Sequence, residues 1–173
     1  MSTPLKIYVA SSWRNPTHPT MVSVLRQLGH HVYDFQNPQT PEDIEAGAEG
    51  DDKGFHWKQI DPNWENWSAR EFRDALDDQR AVDGYNADMA ALNWADIVVL
   101  LLPCGESAHL EAGYAAGARK TVIAYIDGGE PELMYRLFDA IAINERELAD
   151  LLRQYQSERE TSVALKSSLM EED

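Results

Sequence analysis

The chain has 173 residues, enough for one domain that buries a core without covalent staples. Thirty acidic residues against fifteen Lys and Arg give a formal charge of −15, which repels a phosphate backbone and argues against a nucleic-acid duplex as partner, although local donors can still hold a small anion. One cysteine, Cys104, leaves no internal disulfide, no Cys/His cluster has zinc-ligand spacing, no leader pattern opens the chain, and no apolar run approaches the roughly 20 residues of a membrane span; the expected setting is a reducing cytoplasm, with no metal and no membrane partner.

Leu5 to Ala10 reads as a first strand, and Ser11 to Pro16 as a polar loop. Val22, Leu25 and Leu28 share one face of a helix from about Pro19 to Leu28, which Gly29 ends before a second strand, His31 to Phe35. This is a βαβ opening with a right-handed crossover. From Gln36 to about Trp67 periodicity disappears in a Pro- and Gly-punctuated acidic stretch that also holds Phe55, Trp57, Trp64 and Trp67. Such a segment is too long for an ordinary connection, and its aromatic content favours a packed lid or subunit contact over disorder.

Ser68 to about Val82 is helical, with a second helix, Asp83 to Trp94, beginning around Gly84. Asp96 to Leu102 forms a strand whose apolar run, Ile97 to Leu102, reads as fully buried; it breaks at Pro103-Cys104-Gly105, and a small-residue helix follows from Ser107 to Ala118. Thr121 to Ile126 is a fourth strand, Asp127 to Pro131 a loop, Glu132 to Phe138 a short helix, and Ala140 to Ile143 a fifth strand. Glu145 to about Gln156 is amphipathic, and residues 157–173 either extend that helix or fray. Strands alternating with helices predict a single-domain, three-layer α/β sandwich over residues 1–156 around a five-stranded parallel sheet, with 36–67 as an insertion. No Gly-x-Gly-x-x-Gly or Walker pattern is present, so no nucleotide cofactor cradle is expected.

Glu111 falls near the start of the helix after the central strand, at the sheet edge where open α/β folds bind ligands. A helix N-terminus favours an ionised carboxylate, as a carboxylate nucleophile requires. The same dipole equally favours a merely solvated acid. His109 is two positions away and reads either as an acid or base at the site or as a satisfied histidine. Gly113 and Gly117 are expected to let this helix lie close to the sheet.

The phrases Lys6-Ile-Tyr-Val-Ala-Ser-Ser-Trp-Arg14, Asp88-Met-Ala-Ala-Leu-Asn-Trp-Ala-Asp96 and Ala108-His-Leu-Glu-Ala-Gly-Tyr-Ala-Ala-Gly-Ala-Arg-Lys120, in this order, resemble the nucleoside 2-deoxyribosyltransferase superfamily, which includes 2′-deoxynucleoside 5′-phosphate N-hydrolases. The resemblance implies a flavodoxin- or Rossmann-like sheet and cleavage of an N-glycosidic bond in a nucleoside or nucleotide, with transfer of the sugar to another base or to water. It implies Glu111 as the nucleophile at C1′, Tyr8 beside it, and Asp88 handling the leaving base or the sugar. Asp96 is read as structural. In the N-hydrolases a loop comparable to Ser11, Ser12 and Arg14 contributes to 5′-phosphate binding, and an arginine among hydroxyls suits that task; pairing of Arg14 with the protein's own carboxylates is the competing reading. One departure is clear. Six residues before the nucleophile the transferases carry aspartate and the N-hydrolases serine, whereas this chain has Gly105, with Glu106 and Ser107 as the nearest substitutes at the substrate site. That departure keeps open a non-catalytic nucleotide-binding or regulatory module of the same fold. The resemblance also implies a homo-oligomer, for which the insertion tryptophans offer anchors.

Overall fold

The computed structural model describes residues 3–48, 50 and 53–170. Among these, five strands form one sheet: β1 (Lys6–Ala10), β2 (His31–Tyr33), β3 (Ile97–Leu101), β4 (Thr121–Tyr125) and β5 (Ala140–Ala142). The spatial order is β2-β1-β3-β4-β5 and the sheet is parallel, with Ile7 opposite Ile97, Ile97 opposite Thr121 and Ile123 opposite Ala140. This is the flavodoxin-like doubly wound order, whose switch point lies between β1 and β3. The helices are α1 (His18–Gln27), α2 (Pro41–Ala46), α3 (Ala69–Ala75), α4 (Gln79–Trp94), α5 (Glu106–Gly117) and α6 (Glu145–Met170). No described helix is long and apolar enough to cross a membrane.

Contacts gather the chain into two compact units, one from residues 1–32 and 96–173, the other from residues 33–95. In the first, parallel register puts paired residues on one face. Ile7, Val9, Ile97, Val99, Leu101 and Ile123 pack with Met21, Val22 and Leu25 of α1 and with Leu148 and Leu152 of α6. Tyr8, Ala10, Val98 and Leu100 alternate to the opposite face, where α5 lies against β1, β3 and β4. Ala108, Ala112 and Ala115 recur at helical spacing along α5 and are buried, so the sheet is covered on both sides.

Several boundaries differ from the sequence expectation for local reasons. β2 stops at Tyr33 because buried Asp34 turns the chain, its carboxylate accepting from the Gln36 amide at 3.0 Å. The helical stretch after Ser68 breaks at residues 76–78 rather than at Gly84, since Asp78 caps α4 by accepting from the Arg80 amide at 3.0 Å. Gly84 lies inside α4 for a packing reason: a Cβ there would stand 2.6 Å from the Phe55 side chain. α6 runs on to Met170, its second half tied back by an Arg159–Asp96 ion pair and by Glu160 accepting from the Thr3 amide at 2.9 Å. Asp96 also accepts from the Lys6 amide at 3.1 Å, the structural duty expected of it.

The second unit carries the aromatic stretch. Trp57 packs edge to face against Phe55, Trp67 and Phe72, with centroids 4.9, 5.9 and 5.8 Å away. Trp64 packs likewise on His56, and the Trp67 indole donates to Asp61 at 2.8 Å. The three tryptophans are half-buried in the packing of this segment itself. Two 3-10 turns, Trp57–Gln59 and Trp64–Asn66, and the short α2 give the stretch regular local structure that periodicity did not reveal.

Candidate functional site

At the carboxyl edge of the sheet, β1 leads to α1 on one face and β3 leads to α5 on the other, so their ends form the switch point at which open α/β sheets bind ligands. The loop after β1 is knitted to the end of β3. Ser11 donates its hydroxyl to the Leu101 carbonyl at 3.1 Å, and the Asn15 amide donates to Ser11 at 3.0 Å and to the same carbonyl at 3.3 Å. Asn15 is 2 % exposed and in turn accepts from the Thr17 amide and hydroxyl, so it holds the turn into α1. Ser11 has thus committed its one proton within the protein and keeps none for a phosphate. Ser12 accepts from the Arg14 amide at 3.1 Å, and the Arg14 side chain is exposed.

Glu111 is half-buried on α5, between the sheet-facing Ala108 and Ala112. It sits in the second helical turn, because α5 begins at Glu106. The helix-end field falls off within the first turn, so Glu106, and not Glu111, is the acid that it favours most. Tyr8 is fully enclosed on the sheet face that α5 covers, the face also shared by Ala10, Val98 and Leu100. Gly105, Glu106 and Ser107 are exposed at the start of α5, where Gly105 supplies no side-chain cap. A Cβ on Gly105 would meet nothing within 4 Å and its φ is −94°, so neither space nor backbone demands glycine there. Gly113 and Gly117 likewise face open space, which corrects the expectation of close helix–sheet approach: alanines make that contact instead.

His109 is half-buried, with both ring nitrogens engaged. Its Nδ1 lies 2.9 Å from the Gly105 carbonyl, which can only accept, so Nδ1 carries the proton. In the neutral ring Nε2 then accepts from the Tyr135 hydroxyl at 2.9 Å. Cys104 Sγ is 3.5 Å from Nδ1. Burial and, secondarily, the Glu111 charge push the Cys104 thiol up to about 11, so it stays protonated near neutrality and is no nucleophile. The second cause places the Cys104 thiol within the field of Glu111. Glu111→Gln should therefore lower the thiol pKa and speed alkylation of this single cysteine by iodoacetamide at mildly alkaline pH; equal rates in the two proteins would remove Cys104 from that field.

Asp88 belongs to the second unit, half-buried on α4, where the Tyr33 hydroxyl donates to its Oδ1 at 2.8 Å. Burial raises its carboxyl to about 6, against the opposing effect of the Tyr33 hydrogen bond, which favours the charged form. An acid protonated well above the usual carboxylate range is suited to proton donation. Among the described residues no group of three or more His, Cys, Asp or Glu side chains is arranged to hold a metal ion.

The structure thus joins His109, Gly105 and Cys104 into one cluster at the start of the helix that carries Glu111, and gathers Ser11, Ser12 and Arg14 in one loop. Three residues that the sequence did not single out take part in these groups, Asn15, Cys104 and Tyr135, and a fourth, Tyr33, bonds Asp88. Only Cys104 carried a sequence signal, as the lone thiol beside the strand break.

No family model and no curated protein matches the chain. Among solved structures it is similar to the 2-deoxyribosyltransferase of Bacillus psychrosaccharolyticus, described as a biocatalyst for nucleoside synthesis, at a TM-score of 0.52 and 21% identity over 83% of this chain and 90% of that one. At that identity the likeness is one of fold, and it is the fold that the resemblance to the nucleoside 2-deoxyribosyltransferase superfamily implies.

Proposed function

We propose that the protein cleaves the N-glycosidic bond of a nucleoside or nucleotide, through a glycosyl ester on Glu111. The observation that carries this reading is half-buried Glu111 on the helix after β3, which follows the switch point of a fold shared with a 2-deoxyribosyltransferase. In the first step a Glu111 oxygen bonds C1′ as the C1′–N bond breaks. The bonding pair leaves with the base, whose nitrogen takes a proton from a general acid, the role that the family resemblance offers Asp88. In the second step water, or a second base, attacks C1′; Glu111 departs as carboxylate and the general acid recovers a proton from the attacking group. Two displacements retain the anomeric configuration. Tyr8, on the sheet face covered by α5, serves to orient the nucleophile from within the core.

A second reading, a nucleotide-binding module without turnover, is favoured by Gly105, which leaves the position of an expected polar side chain open. One experiment separates the readings. Nucleosides and 5′-monophosphates are incubated with the protein, with and without an excess of a second free base, and products are resolved by chromatography. The proposal expects release of base in every productive reaction, with exchanged nucleoside marking transfer and free sugar marking hydrolysis. Ligand-dependent thermal stabilisation with no base released from any substrate would establish the binding module instead. Because the Ser11 proton is committed to Leu101, a 5′-phosphate cannot take a hydrogen bond from the Ser11 hydroxyl.

A further inference from the structure

We propose that Tyr135 is a positioning residue for the Glu111 carboxylate, acting through His109, an inference that rests on the role proposed for Glu111. Tyr135 lies on the 3-10 turn Leu133–Leu137 and is 8 % exposed. Its ring stacks on His109, with centroids 5.9 Å and planes 13° apart, and on its other side against Phe138 at 5.4 Å and 23°. The Tyr135 hydroxyl donates to His109 Nε2 at 2.9 Å, and His109 Nδ1 donates to the Gly105 carbonyl at 2.9 Å. The segment after β4 is thereby tied to the opening turns of α5.

That tie is needed at this point of the helix. Gly105 gives α5 no side-chain cap, and Gly105, Glu106 and Ser107 are exposed, so the anchoring alanines begin only at Ala108. His109 and Glu111 stand two residues apart on α5, so a shift of the opening turns that His109 anchors carries Glu111 with it. A buried phenol bonded to an imidazole that is itself bonded to a carbonyl has one satisfied arrangement, and loss of any member leaves a desolvated polar group. An apolar contact in its place would hold the elements together without fixing the angle of the helix. Burial keeps the Tyr135 phenol protonated, with Cys104 and Glu132 acting in the same direction, so the donor persists through neutral and mildly alkaline pH.

The test compares wild type, Glu111→Gln, Tyr135→Phe, His109→Phe and the Tyr135/His109 double variant, on whichever nucleoside yields base. Equal base release by wild type and Glu111→Gln marks failure of the functional reading, separately from the present proposal. With Glu111 essential, Tyr135→Phe is expected to lower kcat roughly tenfold with KM nearly unchanged, because orientation and not ground-state binding is lost. His109→Phe should do the same, and the double variant should be no slower than His109→Phe alone. Nitrogen-15 NMR of the imidazole supplies a readout without turnover: His109 should show the Nδ1–H tautomer in wild type and lose the Tyr135 hydrogen bond in Tyr135→Phe, whose fold is retained. An unchanged kcat in Tyr135→Phe, multiplicative losses in the double variant, or the Nε2–H tautomer in wild type would overturn the assignment.

Discussion

Glu111→Gln is expected to lower base release by roughly a thousandfold or more, the loss typical of removing a covalent nucleophile. The change is nearly isosteric and removes charge and nucleophilicity without opening a cavity. Ala108, Ala112 and Ala115, which seat α5 on the sheet, are untouched, so far-ultraviolet circular dichroism and Tm should stay close to wild type. A variant that loses activity together with its fold would leave the nucleophile unassigned, which makes the structural control part of the measurement. Faster alkylation of Cys104 in the same variant confirms independently that a charge has been removed from beside the thiol.

The second large effect concerns Asp88. In the proton-donor role proposed for it, with a carboxyl held up to about 6, its acid form is abundant below that pH and scarce above it. Base release should therefore fall tenfold per pH unit on the alkaline side of about pH 6, provided cleavage limits the rate. Asp88→Asn should abolish that limb and lower the rate about 10²- to 10⁴-fold. Tyr33→Phe makes the sharper test, because its sign is opposite to that of a simple loss. The Tyr33 hydroxyl stabilises the carboxylate, so its removal raises the Asp88 pKa further and moves the falling limb to higher pH. Stability follows the same linkage. Between the ordinary carboxylate pKa near 3.8 and the folded value near 6, the folded state keeps a proton that the unfolded state has released. Stability contributed by this group is complete at low pH and declines as pH rises through that window, and Asp88→Asn should flatten the slope. A limb unmoved in Tyr33→Phe would assign the alkaline fall in rate to another group.

The strands and most helices were legible because each carries its own local signal. The apolar run from Ile97 to Leu101 is short, β-branched and closed by Pro103 and Gly105, which favours a strand buried on both faces, and it is the central strand. The placement of Glu111 on the helix after that strand followed from the same run and the Pro-Cys-Gly interruption, although the helix begins early enough to put the acid in its second turn. Gly84 misled because glycine signals either a break or a close approach, and only the Phe55 ring, 29 residues away in sequence, decides which. The length of α6 depended on Thr3 and Asp96, which no window around residue 160 contains. The Tyr135–His109 and Tyr33–Asp88 pairs are separated by 26 and 55 residues. Neither aromatic had a pattern that set it apart from an ordinary core residue. Periodicity thus recovers the elements that carry a site, whereas the partners that tune its acids arise from tertiary contacts.

The most direct test of the account is to look for the bond itself. Protein mixed with excess substrate nucleoside or nucleotide is quenched in acid within the first turnovers, digested, and examined by tandem mass spectrometry. A glycosyl-enzyme on Glu111 predicts a peptide heavier by one glycosyl group, esterified at that residue and absent from Glu111→Gln. Release of base with no adduct in a quench series that resolves the first turnover, or an adduct on a different residue, would contradict it.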